Sequence, residues 1–251
     1  SVSPERVREE LLKTIAEDGA HDSVRLMDEL GLLSCVIPEL DAARDVAQPK
    51  EHHWNVFDHM VETVGYLEQI LGQRPADEIV SRLLPSFEGL REHFSEEVTD
   101  GHTRRTLVKL TGLLHDIAKP STKTIEESGR IRFFGHADEG ARVVGVILRR
   151  LRFGRRGIRL AKTMVRHHLR PRQMAQGDAL PTARAVHRYF RDLGEAALDT
   201  LYLNMADFLA ARGPELTEAQ MAEQSRDFAH ILKAGLQSDA TPRPVARLID
   251  G

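Results

Sequence analysis

The chain has 251 residues, 41% hydrophobic and 29% charged, an ordinary globular composition that excludes low-complexity and collagen-like polymers. No apolar run reaches the ~20 residues a bilayer-spanning helix needs, and no signal peptide is visible, so a cytoplasmic protein with no membrane partner is expected. The one cysteine, Cys35, excludes an internal disulfide and a thiolate metal cluster.

The net charge of −3 hides an asymmetry. Residues 142–172 hold eleven of the 35 basic residues and none of the 38 acidic ones. Ten of the eleven are arginine, the side chain suited to phosphate. A segment this one-sided reads either as a solvated helix face or as a surface for something anionic, such as tRNA or another RNA. The chain opens on Ser1 rather than Met, as a piece of a longer protein would.

The pattern predicts helices almost throughout. Ser3-Pro4-Glu5 is a helix start, and Val7, Leu11 and Ile15 form the apolar stripe behind it. A second helix is predicted over Asp22–Leu30, stopping at Gly31. Asn55–Leu71 follows with Val56, Met60, Val64 and Leu67 on one face, then Ala76–Leu90 and Thr103–Ile117. Around the turn Glu127-Ser128-Gly129 a short hairpin or ordered loop is expected. Helices are predicted near 136–151, 157–168, 181–192, 194–211 and 216–235, and an irregular tail from Gln237. The fold class is all-α with at most one short hairpin.

Polar residues in apolar surroundings carry the chemistry. His115-Asp116 ends the helix Leu113-Leu114-His115-Asp116-Ile117-Ala118-Lys119-Pro120. Burying a carboxylate without a partner is expensive, and a divalent cation would satisfy imidazole and carboxylate together. His59 beside Met60, and Asp207 in Met205-Ala206-Asp207-Phe208-Leu209, also sit where core is expected. Singly, His59 reads as a hydrogen-bonded core histidine and Asp207 as an acceptor for Arg212 or a backbone amide. Four such residues on three helices point to a shared ion.

The order His, His-Asp, Asp resembles the HD superfamily of metal-dependent phosphohydrolases. The wording His53-Trp54-Asn55-Val56-Phe57-Asp58-His59, Leu113 to Pro120, Phe134-Gly135-His136-Ala137-Asp138-Glu139-Gly140-Ala141 and Leu151-Arg152-Phe153 is more specific. It resembles the HD-containing part of bacterial tRNA nucleotidyltransferases and poly(A) polymerases. The resemblance implies an HD helical bundle over 46–212, a helical neck-like segment over 1–45, and a C-terminal helix with tail over 213–251. It implies His59, His115, Asp116 and Asp207 as ligands of one metal. His136 and His168, with His167 as a register alternative, match the histidines of two-metal members, in which Asp116 would bridge. His52 and His53 are expected at the periphery. Ala118 stands where the family often has Gly. No Gly-Ser-rich loop followed by an Asp-x-Asp pair is present, so CCA addition is not expected of this chain alone.

Nitrogen and oxygen ligands suit one or two divalent ions among Mg, Mn, Fe, Co, Ni and Zn. Asp116 is the group placed to take a proton from water. Lys119 is either an exposed helix-end lysine or a group that neutralises phosphate. Arg132, His136 and Arg170 are candidates for the substrate wall. The substrate expected is a phosphorylated small molecule, a nucleotide or an RNA end, a 2′,3′-cyclic phosphate included. The competing readings are a non-catalytic tRNA- or RNA-binding body for a missing head, and a nucleotide-sensing regulatory domain.

Overall fold

The computed structural model describes residues 2–175 and 179–237. The first unit is α1 (Pro4–Ala16), α2 (Ala20–Glu29) and α3 (Leu32–Val36), closed by a 3-10 turn over Pro38–Ala43. α1 starts as its sequence dictates: the Arg6 amide donates to the Ser3 hydroxyl, with Pro4 in the first turn. Leu11, Leu12 and Ile15 are buried, each worth about 1.5–3 kcal/mol of removal from water.

α4 (Val56–Ile70) is capped by Asn55, whose side-chain oxygen accepts from the Asp58 amide at 2.8 Å. It packs against α2, α7 (Arg104–Leu114) and α13 (Ala197–Arg212), so residues around most of its circumference are buried, His59 and Glu68 among them. Between α4 and α7 the sequence predicts one helix over Ala76–Leu90. The structure has two, α5 (Glu78–Leu83) and α6 (Leu90–Ser95). The reason is local: Pro85 drives Leu84 to extended backbone (φ −71, ψ 119), and Gly89 at φ 91 opens α6.

Two hairpins are present where at most one is expected. The additional one pairs β1 (Glu97–Thr99) with β2 (His102–Thr103). Its Asp100-Gly101 turn has φ 48 and 80, the pair of positive values that a primed two-residue turn needs. The expected one follows α8 (Lys119–Thr122): β3 (Lys123–Ile125) pairs with β4 (Ile131–Phe133) in the register Lys123↔Phe133 to Ile125↔Ile131.

α9 (His136–Arg150) and α10 (Arg155–His167) then form an antiparallel pair, with α10 lying also against α7 and α13. α11 (Arg170–Met174), α12 (Ala183–Leu193) and α14 (Glu218–Gln237) complete the bundle. The tail beyond Gln237 lies outside the described residues. From Ala197 to Ala211, α13 is buried at every position but Asp207, which makes it the helix at the core of the bundle. No helix among the described residues is long and apolar enough to cross a membrane.

A buried ion pair fixes the first unit to the bundle. Glu68 on α4 accepts from the amides of Ala20 (2.7 Å) and His21 (3.2 Å), the unsatisfied donors at the start of α2. The Lys109 ammonium on α7 donates to the carbonyls of Glu17 (2.9 Å) and Ala16 (3.4 Å) at the end of α1 and lies 3.6 Å from Glu68 Oε1.

Candidate metal centre

Five helical segments bring polar side chains to one point in this apolar bundle. His59 comes from α4, His115 and Asp116 from the end of α7, His136 from the start of α9, His168 from the end of α10, and Asp207 from α13. Ligand atoms of His59, His115, Asp116 and Asp207 all lie within 4.8 Å of one another, and so do those of Asp116, His136 and His168. Asp116 belongs to both groups. Its Oδ2 is 3.5 Å from His59 Nε2 and 3.2 Å from His115 Nε2; its Oδ1 is 3.4 Å from His136 Nε2 and 3.7 Å from His168 Nε2. His168, not His167, faces this cluster.

The backbone sets the tautomers. His115 Nδ1–H donates to the Gly112 carbonyl at 2.8 Å, His136 Nδ1–H to the Phe133 carbonyl at 2.7 Å, and His168 Nδ1–H to the Val165 carbonyl at 2.7 Å. A carbonyl can only accept, so each Nδ1 carries a proton and each ring turns its Nε2 toward Asp116. The rings form an edge-on chain, His59–His115–His168–His136, with centroids 5.1 to 5.4 Å apart.

Burial without satisfaction follows. His115 Nε2, His136 Nε2 and both oxygens of Asp116 are buried and make no hydrogen bond of good geometry. Leaving one such atom unsatisfied costs about 1–3 kcal/mol, and four converge here. A divalent cation with imidazole and carboxylate ligands is the group this donor set fits.

The charges respond to each other. Burial favours neutral Asp116, but His115 and then Lys119 outweigh it and hold the carboxylate well below the ordinary range. Asp207 is held down likewise, against burial, by its contacts with His115 and His59. Burial works to lower His115 too, yet the Asp116 and Asp207 carboxylates raise it to about 10. Burial brings His168 down to about 4, with the His115 charge adding to it.

Lys119 is buried, not the exposed helix-end residue that was one reading. Its ammonium lies 2.6 Å from Asp116 Oδ2, donates to Gln48 Oε1 at 2.6 Å, and sits over the Phe133 ring. Sequence reasoning missed Gln48, which carries no signal in a polar connection. His52 is closer in than expected: its ring packs edge-on to His59 at 5.4 Å, and burial lowers it to about 4. His53 does stay peripheral, beside Glu215.

The two arginines assigned to the substrate wall are not brought into the cluster. Arg132 pairs with Glu126 at 3.0 Å within its own hairpin, and Arg170 with Asp192 at 2.8 Å on α12. Both partners lie where sequence reading could not place them: across a tight turn, and on another helix.

The family model for the HD domain matches residues 56–222, two thirds of the chain, and spans every residue of the cluster. The chain belongs to the HD domain family. A second family model, described as a probable RNA and SrmB-binding site of polymerase A, matches residues 1–44, the unit ahead of the HD domain. Among curated proteins, the chain is 30% identical over 213 residues to the CC-adding tRNA nucleotidyltransferase of Thermus thermophilus, covering 84% of this chain and 40% of the relative. It is 30% identical over 242 residues to the A-adding tRNA nucleotidyltransferase of Deinococcus radiodurans, covering 96% and 47%. A bifunctional uridylyltransferase/uridylyl-removing enzyme of Ruegeria pomeroyi is 26% identical over 188 residues, covering 74% and 18%. The chain thus spans less than half the length of these relatives.

Proposed function

We propose that this HD domain is a metal-dependent phosphohydrolase acting on a phosphoester of a nucleotide or of an RNA end, 2′,3′-cyclic phosphates included. The observation that carries this reading is the convergence of unsatisfied buried donors, His115 Nε2, His136 Nε2 and both oxygens of Asp116, in a bundle otherwise closed. Further support comes from the uridylyl-removing name of one relative, since a uridylyl group is attached through its phosphate.

In this reading His59, His115, Asp116 and Asp207 hold one ion, and His136 and His168 with Asp116 offer a place for a second. When bound, such a cation polarises a phosphoryl oxygen and acidifies a water. The rest falls to the chain. Asp116 stays anionic and serves both groups of ligands; the surroundings that keep it ionised also make it a weak base, so ligation suits it better than the proton-accepting role. The Lys119 ammonium, beside Asp116 and directed by Gln48, takes the phosphate charge. His136 and Asp207, both slightly exposed while His59 and His115 are not, mark the open side of the centre where substrate enters.

The test is turnover of bis-p-nitrophenyl phosphate and of an RNA ending in a 2′,3′-cyclic phosphate, with Mn or Ni supplied and elemental analysis of the purified protein. Activity lost in Asp116→Ala supports the proposal. No turnover with any divalent ion, or turnover unchanged by that substitution, overturns it.

A second reading has its own observation. The match of residues 1–44 to an RNA-binding-site family and the tRNA substrates named for two relatives favour RNA as a partner. The chain would then be a body that holds RNA, in the cytoplasm, with or without hydrolysis. RNA binding that persists in Asp116→Ala without metal separates this role from the first.

A further inference from the structure

The basic stretch 142–172 does not act as one surface. Much of it is neutralised by acidic residues from elsewhere in the chain. Arg142 pairs with Glu139, Arg150 with Glu39, Arg156 with Glu96 and Glu195, and Arg170 with Asp192. Arg149, Arg155 and Lys162 make no ion pair among the described residues, and Arg152 has only Glu5, 3.9 Å away.

These three cations are gathered with Arg152, with Arg159, which pairs with Glu195 at 2.5 Å, and with Arg166, which pairs with Asp138 at 3.0 Å. Arg149, Arg152, Arg155, Arg159, Lys162 and Arg166 line one open groove of ≈ 650 Å³ along the outer side of α9 and α10, and no Asp or Glu lines it. Residues 155, 159, 162 and 166 recur at helical spacing on the face of α10 opposite its buried Leu160, Ala161, Met164 and Val165. The stripe runs about 16 Å at 1.5 Å per residue. Like charges are packed closely within it. A Cβ added at Gly145 would lie 2.9 Å from Lys162 Cδ and 3.4 Å from Arg149 Nη1, so the two cationic chains meet over α9 at one point.

The groove is also joined to the unit matched by the RNA-binding-site family. Arg8 on α1 donates to the Arg152 carbonyl, and Arg150 donates to Glu39 Oε2 at 2.8 Å and to the Val36 carbonyl at 3.3 Å. The linker between α9 and α10 is therefore anchored on residues of 1–44, and the groove continues that unit's surface.

We infer that the groove between α9 and α10 is a binding site for the phosphate backbone of RNA, extending the surface of residues 1–44 away from the metal centre. Arginine forks pair with phosphate oxygens two at a time, and cations with no carboxylate partner among the described residues, as at Arg149, Arg155 and Lys162, gain by displacing the ions condensed on a polyanion. His168, which serves the centre, lies on the buried side of α10's end, so the groove is a docking surface and not part of the substrate wall. The inference rests on the RNA-partner reading and is independent of hydrolysis.

The experiment is binding of a fluorescently labelled tRNA transcript to the full chain in EDTA, across a range of salt. In the variant Arg149→Ala/Arg155→Ala/Lys162→Ala, which breaks no ion pair, affinity at ~0.1 M salt should fall at least ~10-fold. The slope of log K against log salt should lose about 2 to 3, close to one per contact removed. Arg142→Ala, on the same helix outside the groove, should change affinity less than ~2-fold. Should the triple variant fold poorly by circular dichroism, Arg155→Glu alone should give a clear loss at this exposed position. Unchanged affinity and slope in the groove variants overturns the site while leaving RNA as a partner. No binding of the transcript by the unsubstituted chain overturns both. Polyglutamate competing as well as RNA would assign the groove to an acidic protein and also overturn the inference.

Discussion

The Asp116 cluster and the Glu68–Lys109 pair lie in the same bundle at the same depth, yet they differ in how their charges are satisfied. Glu68 receives two backbone amides and Lys109 gives to two backbone carbonyls, so every formal charge there is answered by the chain. Around Asp116, His59 Nε2 and Asp207 Oδ1 share a hydrogen bond at 3.0 Å, but both Asp116 oxygens and the Nε2 atoms of His115 and His136 meet without one. Burial alone does not distinguish structure from chemistry. What remains unanswered after burial does.

The largest test of that contrast exchanges losses of stability and activity. Asp116→Ala should lower phosphoester turnover at least ~1000-fold, since the cation supplies several kcal/mol of transition-state stabilisation, with cooperative unfolding retained. Glu68→Ala should do the reverse. Leaving Lys109 buried without its carboxylate costs about 3–5 kcal/mol in denaturant melts, while turnover per folded molecule stays near the original. A Glu68→Ala protein of unchanged midpoint would erase the distinction.

Protons give the next test. The Asp116 and Asp207 carboxylates push His115 up to about 10 against burial, so near neutrality an incoming ion is expected to displace its proton. Metal affinity should then rise about tenfold per pH unit up to that range, with one proton released per ion in calorimetry across buffers of different ionisation heat. Release of none would mean that His115 is not a ligand. Lys109 shifts the other way, lowered by burial from 10.5 to about 8 despite Glu68. Between those values the unfolded chain binds the proton that the native one has lost, so stability should rise with pH across that window. Lys109→Met should flatten the rise. The smallest effect belongs to Arg132→Ala: its pair with Glu126 is half exposed, so stability should change by less than about 1 kcal/mol, and turnover little.

The convergence of polar side chains at the candidate metal centre was legible in sequence because its residues violate the helical pattern: His59 beside Met60, and Asp207 in an apolar run. Glu68 and Lys109 violate nothing obvious. Each looks like the polar face of an amphipathic helix, and only the packing of α2 over α4 and of α1 over α7 encloses them. The basic stretch misleads for a related reason. A count along the chain cannot see Glu39, Glu96, Glu195 or Asp192 arriving from other helices to neutralise it. The long helices were readable except where Pro85 divided one; the short α3, α8 and α11 were not foreseen, and the Asp100-Gly101 hairpin was short enough to be absorbed into a connection.

The three imidazoles latched to carbonyls of their own chain have one more consequence. Ring rotation is already spent before any guest arrives, so capture costs little ordering, and the socket's width is set by the spacing of helix ends rather than by its occupant. A frame that cannot reshape itself leaves discrimination to ionic radius and coordination number, properties of the visitor alone.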